Sequence, residues 1–219
     1  MTAAWLSALD ISRLRRVVME VSTPAEIISP YFRSMRGPIE LSLQVLRFPQ
    51  KLSVYRKHGL VFLAAAPQVD KSFQAPWGQL KMEPHALAEY CALMPRVTRL
   101  EFPTAAWADM ARLAAPSAML ALTTLILDVR RGRLPGDYVP FVHGPSAVVR
   151  QIACPNLEQL VLVGHRKVRL RTAAIAHFMR ARLGIAERAR PTILLKTSGI
   201  SLRGPALRLR RLVRKIIAT

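Results

Sequence analysis

A short apolar phrase recurs along the chain: one apolar residue, two variable ones, a second apolar residue, one variable and a third apolar. It reads Leu14-Val17-Met19, Val97-Leu100-Phe102, Leu122-Leu125-Leu127 and Leu157-Leu160-Leu162. Weaker copies lie at Ile39-Leu41-Leu43, from Val69 to Phe73 and at Ile193-Leu195. Successive phrases start roughly 25 to 35 residues apart, the period range of solenoid repeats. Within a phrase the alternation has the period of two of a strand. Leu125 and Leu127 are therefore expected on one side, and Thr124, Ile126 and Asp128 on the other. Pro67, Pro95 and Pro155 sit two residues ahead of a phrase and are read as closing a helix and launching an extended segment.

Helical patterns fill the intervals. Ala105 to Ala114 carries Trp107, Met110 and Ala114 on one side, and Pro145 to Ala153 carries Val148, Val149 and Ile152. Ala173 to Leu183 is the clearest, with Ile175, Phe178, Met179 and Leu183 at one-faced spacing, Thr172 as its candidate cap and Gly184 as its stop. Strand, helix and strand in alternation predict a parallel sheet. The expected fold is α/β: an irregular leucine-rich-repeat-like solenoid with parallel strands on the concave face and helices outside. One repeat domain of about six to seven units is expected over residues 1–203, and a basic amphipathic helix capping it over 204–219. An ordinary doubly wound α/β domain would show the same alternation, but the glycine-rich GxGxxG and GxxxxGK[ST] turns are absent from the sequence.

The segments ACPNLEQLVLVG (153–164), LMPRVTRLEF (93–102) and LTTLILDV (122–129) resemble the irregular leucine-rich-repeat regions attached to F-box domains in basidiomycete fungi. The resemblance covers most of Leu14 to Leu195 and implies a protein-recognition scaffold, with substrate recognition for a ubiquitin ligase as its family role. Two departures qualify it. The Asn or Cys that usually follows the strand phrase is replaced by Ser22, Ala105, Arg130 and His165. No F-box stands ahead of Leu14, so adaptor recruitment is not expected here, and the chain reads as a C-terminal portion or a truncated relative.

Charge changes the picture at one end. The 219 residues carry 33 Lys or Arg against 13 Asp or Glu, a formal net charge of +20, with 51% hydrophobic residues. From Gln159 onward there are 15 basic residues and one acidic residue, Glu187, so this third supplies +14 of the total. Such a surface attracts nucleic acid, anionic lipid or acidic protein. No run of about 18 apolar residues offers a membrane span, and the N-terminus lacks the layout of a secretory signal. With only Cys91 and Cys154, a reduced cytoplasmic or nuclear setting is expected.

The search for chemistry finds little. The five histidines show no HExxH or paired spacing, and the two cysteines form no CxxC, so no metal, cofactor or small-molecule substrate is expected. Ser198 in LKTSGI resembles a Lys-Thr-Gly motif without the SxxK that should accompany it. Cys154, just before Pro155, is read as a packing residue. The chain is expected to be no enzyme. Its candidate protein-binding residues are the outward strand positions Arg16, Glu20, Arg99, Glu101, Thr124, Asp128 and Gln159. Its candidate anion-binding residues are Lys167, Arg169 and Arg171 in HRKVRLR, with Arg208, Arg211 and Lys215 opposite the stripe of Leu209, Leu212, Val213 and Ile216. The alternative function is a basic module docking on nucleic acid or anionic membrane through the C-terminal third.

Overall fold

The computed structural model describes residues 15–18, 31–46, 59–76, 91–114, 118–129, 151–183 and 193–218. The chain divides into two compact units, Met1–Leu93 and Met94–Thr219, so the boundary expected at 203/204 falls inside the second.

The first unit holds β1 (Arg16–Val18), β2 (Ile39–Leu46), β3 (Gly59–Ala66) and β4 (Lys71–Pro76). Their order is β1-β4-β3-β2. β1 runs parallel to β4, but β3 is antiparallel to both β2 and β4. A uniformly parallel array is therefore corrected here. The β3–β4 connection is too short for a crossover helix: Pro67–Val69 makes one 3-10 turn, and Asp70 reverses the chain at φ +50°. Pro67 accordingly ends a strand and opens this turn instead of closing a helix. Tyr31, Phe32 and Met35, fully buried, anchor the segment before β2. The Tyr31 hydroxyl donates to the Arg15 carbonyl at 3.0 Å, and Lys71 Nζ lies 5.6 Å from the Tyr31 ring centre while donating to Ser34 Oγ. The Arg15–Asp70 ion pair is open to water and contributes little.

The second unit is built on β5 (Val97–Pro103), β6 (Thr124–Val129), β7 (Gln159–Arg171), β8 (Ile193–Arg203) and β9 (Val213–Ala218), in sequence order and all parallel. Thus the fold is α/β with a mostly parallel sheet. The repeated phrase sets the register: Leu100 pairs with Leu125, and Leu125 with Leu160, while Phe102, Leu127 and Leu162 form the next row. All nine apolar positions of the three phrases, from Val97 to Leu162, are fully buried. The phrase also extends upstream, since Met94, Met119 and Cys154, each three residues earlier, are buried as completely. Here the turns stack by backbone hydrogen bonds. Met119 N–H donates to Ala153 O at 2.8 Å, Ile152 N–H to Arg182 O at 2.8 Å, and Thr123 N–H to Thr98 O at 3.0 Å. Asn156 Nδ2 adds a bond to Leu120 O at 2.7 Å. These bonds satisfy the backbone of the segments that lead into β6 and β7.

Two helices cover the core side. α1 (Trp107–Ala114) follows a 3-10 turn at Thr104–Ala106, and α2 spans Thr172–Arg182. Trp107 links them to the sheet: its ring lies 5.8 Å from Phe102 of β5 and meets Phe178 of α2 edge-on at 5.1 Å. Thr172 does not cap α2. It is the first helical residue, and its buried hydroxyl bonds to the carbonyls of Pro205 at 3.0 Å and Arg203 at 3.3 Å. Residues 151–153 of the Pro145–Ala153 pattern are not helical, and the rest of it lies outside the described residues.

The C-terminal helix is also corrected. Only α3 (Leu207–Arg210) is helical, and Val213–Ala218 forms β9 along the edge of β8. β-branched Val213, Ile216 and Ile217 suit an extended chain, and the unpaired edge of β8 offers hydrogen bonds a surface helix would leave unused.

Candidate functional site

Alternation along the parallel strands sorts side chains between two faces. Leu100, Phe102, Leu125, Leu127, Leu160 and Leu162 face the helices, leaving the intervening residues on the opposite side. Five of the seven candidate protein-binding residues meet there. Arg99, Thr124 and Gln159 occupy one cross-strand row, and Glu101 leads the next, paired with Ile126 and Val161. Asp128 stands in a third, between Pro103 and Val163. Arg99 is exposed, and Glu101, Thr124, Asp128 and Gln159 are half-buried. Arg99 and Glu101, two apart on β5, form a 3.7 Å ion pair. Arg16 is exposed on β1 in the other unit, and Glu20 lies outside the described residues.

The middle of this face is apolar. Ile126 is buried, and Val161 and Val163 are half-buried. Strands of parallel sheets commonly read as near-continuous apolar runs, as LILDV and LVLV do here. Alternation placed both the flanks and Ile126 on this face, but the candidate binding residues left the apolar centre out.

The cationic candidates do not form one cluster. Arg169 and Arg171 are exposed on the C-terminal half of β7, alternating with buried Val168 and Leu170. Lys215 pairs instead with Leu194 near the start of β8, and exposed Arg211 precedes β9. The side chains of Lys167 and Arg208 lie outside the described residues. The two halves of β7 are offset by a bulge. Val163 pairs with Ser198 and Val168 with Ile200, so four residues of β7 face Gly199 alone. Gly199 has φ +68°, and a Cβ there would collide with the Gly164 carbonyl oxygen. That close approach explains the glycine in LKTSGI, and no active-site motif is needed to account for it.

Cys154 is fully buried, and its thiol donates to Leu183 O at 3.3 Å. Burial pushes the thiol up to about 12, so it is a packing group at neutral pH. Among the described residues no His, Cys, Asp and Glu cluster could hold a metal ion, and no helix is long and apolar enough to cross a membrane. Comparison with family models, curated proteins and solved structures gives no match to this chain.

Proposed function

We propose that the protein is a non-enzymatic interaction scaffold that binds another protein through the face of β5, β6 and β7 turned away from α1 and α2. The observation that carries this reading is the composition of that face: Ile126, Val161 and Val163 form an apolar centre bordered by Arg99, Glu101, Thr124, Asp128 and Gln159. An apolar middle with a polar rim of both charge signs suits a protein partner and fixes its register. A uniform phosphate track would not need the carboxylates.

The second unit is also read as an irregular leucine-rich-repeat solenoid. Support comes from the in-register inner rows, the recurrence of the phrase about 25 to 35 residues apart and the strand order following the sequence. The test is affinity capture with the parent and with an Arg99→Glu/Val161→Arg variant, followed by titration of each captured protein, purified, against both chains. A partner that binds the parent and loses at least tenfold affinity for the variant supports the reading. Equal binding to both rejects this face. Ubiquitin-ligase adaptor subunits among such partners would tie the scaffold to the F-box repeat family, and other partners would make it a free-standing module.

A further inference from the structure

Past the β7 bulge, the register brings two neighbouring arginines and a third from a distant part of the sequence onto one small surface. Arg169 pairs with Ser201 and Arg171 with Arg203, and all four residues are exposed. Their neighbours Val168 and Ile200 are buried, so the four share the solvent side of this two-strand segment. Strands lie about 4.8 Å apart and alternate residues on one strand about 6.6 Å apart, so three guanidinium groups crowd a tile one residue pair deep. Directly opposed like charges oppose pairing. Among the described residues none of the three has an ion-pair partner, and β7, β8 and β9 contain no carboxylate side chain. Arg203, 32 positions beyond Arg171, was invisible as a member of this group until the strands were aligned.

We propose that Arg169, Arg171 and Arg203 dock the phosphate backbone of a nucleic acid. Guanidinium groups bind phosphate oxygens in bidentate fashion, and an anion between them relieves the repulsion that the fold imposes. The cations do not stop at the tile. Exposed Arg180, Arg210, Arg211, Arg214 and Lys215 lie elsewhere in the same unit, more charge than a lone phosphate would require and suited to a ligand with many phosphates. A membrane surface would ask for apolar side chains beside the cations, whereas Ser198, Gly199 and Ser201 border this tile. This inference is independent of the protein-binding face on β5 to β7.

The experiment measures binding of the full chain to fluorescent single-stranded and duplex RNA by anisotropy across a salt series, with phosphatidylserine vesicles as a parallel arm. The tile variant is Arg169→Glu/Arg171→Glu/Arg203→Glu; the matched variant Arg180→Glu/Arg211→Glu/Lys215→Glu makes the same charge change elsewhere. The tile variant is expected to lose at least tenfold more affinity than the matched one, and its salt slope to fall by about one per lost phosphate contact. Should the tile variant fail to fold, Arg171→Gln/Arg203→Gln is expected to show at least a threefold loss and a shallower slope. Equal losses in the two triple variants would reduce the effect to general charge and overturn the site. Parental affinity in the tile variant, or in the Gln pair if that is the one tested, would overturn it as well. So would tile-dependent binding that is tighter to vesicles than to either RNA.

Discussion

At the scale of single residues, the inner positions of the repeated phrase dominate stability because nothing near them can accept a polar group. Leu160 sits between Leu125 and Leu195 in register and is fully buried. Leu160→Ala is expected to cost about 2–5 kcal/mol in chemical denaturation, and Leu160→Asp to prevent folding of the second unit. Cys154 shows how far the sequence could be read. Its packing role was legible from its place before Pro155, but its equivalence to Met94 and Met119 was not, since methionine and cysteine make no obvious repeat until the strands are in register. Iodoacetamide should label half-exposed Cys91 in the native protein and reach Cys154 only on unfolding. The raised thiol also has a pH signature. An unfolded thiol ionises near its ordinary value of 9.0, whereas the folded one holds its proton to about 12. Its contribution is complete below pH 9 and falls as pH rises toward 12, a decline that Cys154→Ala should reduce in stability measured against pH.

Elements were legible where local pattern and tertiary context agree. β5, β6 and β7 coincide with the three strongest phrases, and α2 with the one-faced run from Ala173. The C-terminal segment misled because Leu209, Leu212, Val213 and Ile216 fit a helical stripe, while the decisive fact, an open β8 edge, is not local. The antiparallel β2–β3–β4 meander was hidden for a related reason: apolar phrases specify a strand, not its direction. Deleting residues 213–219 should bare the β8 edge, lower the melting temperature and promote self-association in light scattering. At Gly199, alanine faces both a left-handed backbone and the Gly164 carbonyl. Gly199→Ala is expected to destabilise by about 1–3 kcal/mol or more in urea denaturation, with hydrogen exchange rising first around the β7 bulge.

For the molecule as a whole, charge and sheet direction are distributed unevenly. Composition revealed the basic C-terminal third, but not that β7 divides its cations between a tile past the bulge and a separate group near the start of β8 and β9. The apolar centre of the outer face was half legible: alternation put Ile126 on that side, but the binding candidates were sought among other positions and left out Ile126, Val161 and Val163.

The strand order of the second unit also bears on how the protein is made. Each of β6 to β9 pairs with the strand synthesised just before it. Every new rung emerging from the ribosome therefore finds its template already present, and loop closure never spans more than one interval. β9 adds to the edge of β8, bringing exposed Arg214 and Lys215 with it. Charged residues on an edge strand discourage pairing with another chain, so the rung that extends the array also shields it from foreign strands.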